Sequence, residues 1–138
     1  MKPFLRIYRS RVWKAEHLLH KVRHLRKKNR LGRPADQRKA VLRSLANTFF
    51  KSGEIKTTLG KARAVKSEIE RLITLAKRAD MHARRQAAGF LYEKDVVKKL
   101  FNETVGDFKT KKGGYTRLIK LLPRRGDNAP MALIQLVK

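Results

Sequence analysis

Cysteine is absent from this chain of 138 residues, so disulfides, thiolate metal sites and cysteine nucleophiles are excluded. Long apolar runs are absent too, because no stretch approaches the roughly 20 residues that a membrane-spanning helix needs. We expect no secretory signal, since the first residues are interrupted by Lys2, Arg6, Arg9, Arg11 and Lys14. The sequence therefore predicts neither a disulfide-stapled protein nor a membrane-spanning one.

Acidic residues are scarce as well. The chain has 11 Asp+Glu against 36 Lys+Arg, which gives a formal charge of +25. Such a charge indicates the kind of partner rather than the fold, and a polyanion is the partner that would neutralise it. Nucleic acid is the partner class that this charge favours most, ahead of an anionic membrane surface or an acidic protein. The length suits a single domain with a tail.

The positive charge is distributed unevenly along the chain. Met1–Arg33 holds 12 basic residues and a single acid, so this segment carries +11. Like charges at this density oppose packing, and we expect a basic N-terminal extension and arm over residues 1–33 that is loose when free and binds phosphates. Residues 34–138 are predicted to form a globular α+β domain that binds RNA.

The first half of the predicted arm has further interpretations. Its apolar residues recur at near-helical spacing between basic ones, at Val12, Trp13, Ala15, Leu18, Leu19 and Val22. An arginine-rich start with few acids is typical of organelle-targeting segments, and a basic amphipathic helix can lie on a membrane. Trp13 and Tyr8 could stack on unpaired bases, but packing of Trp13 on a neighbouring surface is the simpler interpretation.

The remaining chain alternates helical and strand patterns. Apolar periodicity predicts helices over residues 35–51, 59–78, 81–91 and 93–104, and strands over 54–58, 115–122 and 131–137. Gly53 is expected to end the first helix in the left-handed conformation, and Thr58 and Asp80 to cap the second and third. The predicted fold is a two-layer α-β-α-α-α-β-β domain with a small sheet, whose last two strands form a hairpin across residues 123–130.

Residues for catalysis or metal binding are not grouped in a recognisable way. His20 and His24 are four residues apart, but a metal site needs further ligands, and the neighbouring cations would repel a metal ion. The acids are scattered near cations, as Glu70 is near Arg71 and Asp95 near Lys99, and resemble surface partners. No serine lies in a nucleophile-elbow pattern, and the phosphate-binding loop motif is absent. We expect no enzymatic activity, cofactor or metal.

Several basic side chains are candidates for RNA binding. Within the dense strip these are Arg23, His24, Arg26, Lys27, Lys28, Arg30 and Arg33, and later in the chain Arg38, Lys39, Arg84, Arg85, Arg117, Arg124 and Arg125. The last two should project from the tip of the hairpin, where arginine forks match phosphate oxygens. Gly126 would supply a positive φ there, and Asp127 and Asn128 would close the turn.

The kind of nucleic acid follows from what is missing. No zinc-finger spacing, leucine-zipper pattern or RNA-binding aromatic pair occurs, and aromatic residues make up 7% of the chain. Binding by shape and phosphate contacts, to a folded RNA, is therefore predicted. An architectural DNA-binding protein is the alternative, and a basic membrane-surface peptide joined to a domain is a third.

Several collinear motifs carry a resemblance. The chain resembles the family of the bacterial-type large ribosomal subunit protein seventeen. The matching segments span about Val22 to Val137 and comprise Arg23-His24, Leu31–Ala40, Ile55–Thr58, Leu72–Lys77, Ala83–Ala87, Gly113–Arg117 and Pro123–Ala132. No single segment is sufficient, but together they are specific.

The resemblance implies a structural constituent of the large ribosomal subunit, without catalytic activity. It implies contact with large-subunit rRNA near the exit of the peptide tunnel, and with the neighbouring large-subunit protein thirty-two. The family's basic N-terminal segment runs over rRNA, and this role carries over to the candidates between Arg23 and Arg33. The family's two-layer fold agrees with the predicted order of elements. We expect no membrane partner and no homo-oligomer.

Two further features bear on location. Family members usually begin near Val22, so Met1–Lys21 is extra; contact with more rRNA or a neighbour, and a remnant of targeting, both stay open. Residues 89–94 and 125–130 look closer to cyanobacterial and plastid forms than to mitochondrial ones. A ribosome of the plastid (chloroplast) stroma is therefore the expected location, with the bacterial cytoplasm as the alternative.

Overall fold

A computed structural model describes residues 30–108 and 110–137. Its helices are α1 (Ala35–Ser52), α2 (Leu59–Arg78), α3 (Met81–Phe90) and α4 (Lys94–Lys99), and its strands are β1 (Glu54–Thr58), β2 (Thr116–Leu121) and β3 (Met131–Leu136). The predicted α+β class and α-β-α-α-α-β-β order are confirmed. The predictions for residues 1–29 lie outside the described residues.

A tight turn leads the chain into α1. The amide of Arg33 donates to the carbonyl of Arg30 at 3.2 Å, and the two residues between them have positive φ, 57° at Leu31 and 60° at Gly32. Two successive positive φ values are the mark of a type I′ turn. The half-buried side chain of Leu31 lies against α2 at Gly60. A β-carbon added to Gly60 would be 4.0 Å from Cδ2 of Leu31. Gly32 and Pro34 are residue types that favour a bend, and the structure has one here that is anchored on α2 by Leu31.

Local signals set most of the helix ends. Gly53 ends α1 with φ 81°, and its amide donates to the carbonyl of Phe49 at 2.7 Å. The carboxylate of Asp80 accepts the amide of Ala83 at 2.6 Å, as a capping aspartate does. Thr58 occupies the cap position of α2, but its side chain forms no capping bond. Instead the amide of Leu59 donates to the carbonyl of Pro130 at 2.8 Å, which ties α2 to the start of β3.

The sheet has three antiparallel strands in the order β1-β3-β2. Ile134, on the central strand, pairs with Ile55 on one side and with Leu118 on the other. These three residues share the inner face, which the helices cover, because successive side chains of a strand alternate between faces. The predicted hairpin of the last two strands is confirmed.

The core lies between α2 and the inner face of the sheet. The helical period of the sequence predicts that one apolar stripe of α2 faces inward. This stripe is buried throughout, with at most 3% exposure, at Ala62, Val65, Ile69, Leu72, Ile73 and Ala76. Phe49 from α1 and Ile134 from β3 are fully buried beside it. Phe108 packs edge-to-face on Tyr115, with ring centroids 5.3 Å apart, which closes the core where β2 begins. Apolar burial of this kind is the main stabilising contribution to the domain.

The structure corrects the sequence prediction in one helix and one loop. The helix predicted over residues 93–104 has two parts, because the α-helical turns of α4 end at Lys99 and the segment Leu100–Thr104 is π-helical. The polar sequence of residues 106–114 favours a loop, but this segment begins with a 3-10 turn, Gly106–Phe108, that buries Phe108. Within the described ranges, no helix is long and apolar enough to cross a membrane.

Candidate nucleic-acid interface

Nearly all the predicted RNA-binding side chains that the structure describes are solvent-exposed. Arg38 is half-buried, and the exposed ones are Arg30, Arg33, Lys39, Arg84, Arg85, Arg117, Arg124 and Arg125. The predicted contacts Arg23, His24, Arg26, Lys27 and Lys28 lie outside the described residues. Exposed cations can exchange their counterions for RNA phosphates, which is the source of most nucleic-acid affinity. The fold distributes the described cations over two layers.

Three helices form a groove on the helical layer. Its rim is basic, with Arg38 and Lys39 from α1 and Arg71 from α2, and its other lining residues are Ala35, Leu42, Glu68, Leu72, Leu75, Gln86, Gly89 and Phe90. We call this surface the helical groove. Arg71 lies 3.9 Å from the single acid, Glu68, and its side chain is 72% exposed, so that pair leaves it largely free. The groove is therefore cationic with an apolar floor.

Arg43 holds one wall of the helical groove in place. Its Nε donates to the carbonyl of Phe90 at 2.6 Å and its Nη2 to the carbonyl of Gly89 at 3.2 Å. The guanidinium also lies over the ring of Tyr92, 4.3 Å from its centroid. These bonds satisfy carbonyls at the end of α3, which have no partner within the helix. The helical pattern of α1 places Arg43 on its basic side, but the structure uses it to join α1 to α3.

A second polar contact fixes α1 to the start of α4. The Nδ2 of Asn47, which is 8% exposed, donates to Oε1 of Glu93 at 2.8 Å. The same carboxylate oxygen lies 2.6 Å from Nζ of Lys51. The hydrogen bond from Lys51, followed by that from Asn47, lowers the pKa of Glu93 below its ordinary value. Glu93 is thus a structural partner of α1 and no candidate acid or base.

The neighbouring arginines of α3 point in different directions. Arg84 lies over the ring of Phe101, with the guanidinium carbon 5.0 Å from the centroid, so it contacts the segment that follows α4. The side chain of Arg85 is exposed and forms no ion pair with another described residue. His82 and Gln86 form a third side of α3, where their side chains are 2.8 Å apart. Of the predicted pair, Arg85 is therefore the side chain available to a phosphate.

The hairpin tip also separates its two arginines. Arg124 folds back on Asp127, with its Nη2 donating to Oδ2 at 2.6 Å and its Nε to Oδ1 at 3.1 Å. The hydrogen bond from Arg124, with that from the amide of Ala129, lowers the pKa of Asp127 to about 2. Gly126 has φ 98° and Asn128 φ 51°, as a tight turn requires. Arg125 forms no ion pair with another described residue, so it is the freer of the two arginines.

Surface ion pairs involve other partners than the predicted ones. Asp95 pairs with Lys98 at 3.5 Å, while Lys99 donates to the carbonyl of Lys51 at 2.8 Å. Glu70 lies 3.9 Å from Lys66 and accepts the hydroxyl of Thr116 at 2.9 Å, and Arg71 is near Glu68 instead. The predictions for Asp95 with Lys99 and for Glu70 with Arg71 are therefore wrong. Asp95 has a lysine at both the third and the fourth following position and pairs with the nearer one, whereas Glu70 and Arg71 are adjacent residues, which do not face each other on a helix. Within the described part of the chain, no three His, Asp or Glu residues group as metal ligands.

The sequence-based set of candidates omitted three residues that the fold brings beside the predicted ones. Arg71 and Gln86 face Arg38 across the helical groove, and Lys56 lies with Arg124 and Arg125 in a shallow cleft at the end of the sheet. The helical pattern identifies Arg71 as an outward cation of α2, but only the packing of three helices places it opposite α1. No local signal distinguishes Lys56 from the other exposed lysines.

Comparison with known proteins gives two consistent findings. The family model of ribosomal protein L17 matches residues 41–137. Two proteins named large ribosomal subunit protein bL17 are similar, one from Thermoanaerobacter sp. strain X514 and one from Thermoanaerobacter pseudethanolicus. Each is 54% identical over 108 residues, which covers 78% of this chain and 96% of the relative.

Proposed function

The chain belongs to the ribosomal protein L17 family and is a structural protein of the large ribosomal subunit, and we propose that it is held there by binding large-subunit rRNA. The observation that carries this proposal is the distribution of cations over both layers of the fold. Arg38, Lys39 and Arg71 line one groove, and Arg85, Arg117 and Arg125 are exposed elsewhere. Phosphates of several RNA segments could be neutralised at once by this arrangement.

We assign separate RNA-binding roles to the basic arm and to the folded domain, according to their charge. Residues 1–33 act as a cationic arm that lies between RNA helices, through Arg23, His24, Arg26, Lys27, Lys28, Arg30 and Arg33. Residues 34–138 form the domain that packs on rRNA through its basic faces. The described end of the arm supports this division, because Arg30 and Arg33 are exposed on either side of the anchored turn at Leu31.

Salt dependence tests the arm. The measurement is the affinity of the protein for rRNA fragments at several salt concentrations. Replacing Arg26, Lys27, Lys28 and Arg30 of the protein by Ser should reduce the slope of log affinity against log salt by about 3, because each phosphate contact contributes roughly 0.7–0.9. A matched control replaces Arg63, Arg78, Lys94 and Lys112 by Ser, which removes the same charge from exposed sites away from the proposed contacts. Equal slopes in the two variants would remove the arm from the proposed interface.

The identity of the nucleic acid is tested by comparison. Affinity for structured large-subunit rRNA should exceed affinity for duplex DNA of equal length at the same salt concentration. The protein should also co-migrate with the large subunit in a sucrose gradient after a high-salt wash. Migration with DNA, together with equal or tighter duplex binding, would support the architectural DNA-binding alternative.

The position within the subunit is a finer part of the proposal. We place the chain near the exit of the peptide tunnel and in contact with large-subunit protein thirty-two, as the family resemblance implies. Cross-linking mass spectrometry of purified large subunits tests both contacts. Links from this chain to protein thirty-two and to a nascent peptide's emerging end support the placement, and links only to proteins of the subunit interface contradict it.

The compartment is the last part of the proposal. We propose a ribosome of the plastid stroma, on the resemblance of residues 89–94 and 125–130, while the bacterial cytoplasm is the alternative and both relatives above are bacterial. Fractionation of the source cells with an antibody against residues 1–21 distinguishes the two. Recovery in plastid large subunits supports the proposal, and recovery in bacterial ribosomes overturns it.

A further inference from the structure

The face of the sheet that points away from the helices carries a block of aliphatic side chains. Leu133 pairs across β3 and β2 with Ile119, and Met131 pairs with Leu121. All four point outward, because they alternate with the buried residues Ala132 and Ile134. Ile119 is 36% exposed, and Leu122, next to the block, is 88% exposed. We call this surface, with its polar border, the outer sheet face.

The border of the outer sheet face is mainly basic. Register places Lys56 beside Leu133, and Arg117 and Glu54 on either side of Gln135. At the other end, Lys56 and Arg125 line a shallow cleft with Leu121, Leu122, Pro123, Arg124 and Met131. Arg124 is already paired with Asp127. Lys56 and Arg125 form no ion pair within the described ranges, so they can receive carboxylates.

We propose that the outer sheet face docks a neighbouring protein that presents aliphatic or aromatic side chains flanked by carboxylates. This inference rests on the proposed function, since the neighbour is supplied by the assembled subunit. A contiguous apolar patch with a polar border is the usual form of a protein–protein contact. The apolar block would cover the partner's apolar side chains, and Lys56, Arg117 and Arg125 would meet its carboxylates. This assigns Arg117 and Arg125 to the protein partner and leaves the RNA contacts to the other exposed cations.

RNA is a poorer fit to this face. Its pairing register contains no aromatic side chain on the outward positions, and unpaired bases stack on aromatic rings or arginine planes. Phosphates placed over Leu133 and Ile119 would lose water without gaining a hydrogen bond. The helical groove includes the aromatic ring of Phe90 beside its arginines, and it offers RNA a stacking contact that the apolar block of the outer sheet face lacks.

The other candidate occupants carry charge of the wrong sign. A second copy of the chain would bring Lys56, Arg117 and Arg125 against the same residues. The chain's own N-terminal segment, Met1–Arg33, carries +11 and would be repelled by the same border. Charge complementarity therefore selects a different chain that contributes acidic residues.

A photo-cross-linker at Ile119 tests the proposal in assembled subunits. Ile119→p-benzoyl-phenylalanine should give a cross-link to a ribosomal protein, in large subunits purified from cells that carry the variant as their only copy. The same amino acid at Lys39, on the rim of the helical groove, should cross-link to rRNA. Failure of both variants to enter the subunit would contradict the proposed function, and entry without a protein cross-link at position 119 would contradict only the docking proposal.

Charge reversal on the border provides the second measurement. The cross-linked peptide should contain apolar residues next to Asp or Glu, and Lys56→Glu with Arg125→Glu should reduce the cross-link yield at least threefold. Lys120→Glu, an exposed lysine on the other side of β2, should leave the yield unchanged. The proposal would be overturned by cross-links from position 119 to rRNA, to a second copy of the chain or to residues 1–29. It would also be overturned if the charge reversals at Lys56 and Arg125 left the cross-link yield unchanged.

Discussion

The helical groove and the outer sheet face are both basic surfaces, but they are built differently. In the helical groove, Arg38 and Lys39 from α1 and Arg71 from α2 surround an apolar floor that includes Phe90. On the outer sheet face the centre is aliphatic, at Leu133 and Ile119, and the cations form only the border. The groove can contact phosphates directly, whereas the face must first cover apolar side chains.

The difference shows that net charge alone does not identify a binding surface. A charge of +25 favours RNA everywhere, because phosphate contacts need only an exposed cation. Apolar side chains in register add a requirement for shape and for an apolar partner. Two surfaces on different layers of one small domain can therefore select different classes of macromolecule.

Stability should separate the two faces of β3 most strongly. Ile134→Ala removes a fully buried side chain from the inner face and should lower the free energy of unfolding by about 2–5 kcal/mol. Leu133→Ala, one residue away on the outer sheet face, should cost much less because its side chain is only half-buried. Urea unfolding followed by circular dichroism measures both. Equal losses would show that the outer sheet face belongs to the core.

RNA affinity should separate the helical groove from the outer sheet face. Replacing Arg38, Lys39 and Arg71 by Ser should weaken binding to rRNA fragments about tenfold or more, and reduce the salt slope by about 2–3. The matched control, Ile119→Ser with Leu133→Ser, retains every cation and should leave the slope unchanged. Filter binding across salt concentrations measures both. The assignment of the two surfaces would be reversed if the salt slope of RNA binding fell in the control, or if it were unchanged in the triple variant.

Gly89 offers a smaller and sharper test of the helical groove. A β-carbon at this helical position would have no heavy atom within 4 Å, so Gly89→Ala should stabilise the domain by about 0.4–1 kcal/mol. Gly53→Ala is the control, because φ 81° there strains any other residue and should destabilise. Thermal unfolding measures both changes. If RNA affinity falls while stability rises in Gly89→Ala, RNA approaches the backbone at this wall of the groove.

The smallest expected effect is the titration of Asp127. Its pKa is lowered to about 2 by Arg124, so its contribution to stability is present above its ordinary pKa near 4 and is lost as pH falls through about 2. The pair is exposed and screened by salt, so the contribution is modest. Carboxyl chemical shifts measured by NMR between pH 5 and 1.5 give the pKa directly. A midpoint near 4 would show that Arg124 is free in solution.

The same pair provides a control on RNA binding at the hairpin tip. Asp127→Asn removes the negative charge that holds Arg124, and should raise affinity for rRNA fragments a few-fold and steepen the salt slope slightly. Asp107→Asn removes an equal charge at an exposed site elsewhere. If both variants gain equally, net charge rather than release of Arg124 explains the effect.

Local signals were sufficient for most of the fold. Gly53 and Asp80 mark helix ends because their conformational freedom and side-chain oxygen act within a few residues. The inward stripe of α2 was predictable because a 3.6-residue period is visible in the sequence alone. Thr58 was a weaker case, since the tie from Leu59 to Pro130 replaces a local cap with a long-range bond.

The site was less predictable than the fold. Exposed cations such as Lys39 and Arg85 could be identified from composition and helical pattern. Arg43 shares that pattern, yet it donates to the carbonyls of Gly89 and Phe90, which are distant from it in the sequence. Such a bond depends on how α1 packs against α3, which no short stretch of sequence encodes.

The sequence by itself determined the charge, the order of helices and strands, and the pairing of the last two strands. These depend on interactions within a few residues, or on composition. Only the tertiary structure decided what the apolar run Met131–Leu136 does, because a nearly continuous apolar strand usually has both faces covered. Here the helices cover Ala132 and Ile134 and leave Leu133 half-buried. Which face of a strand is covered is set by packing between layers, and this is why a surface for a partner appears only in the folded domain.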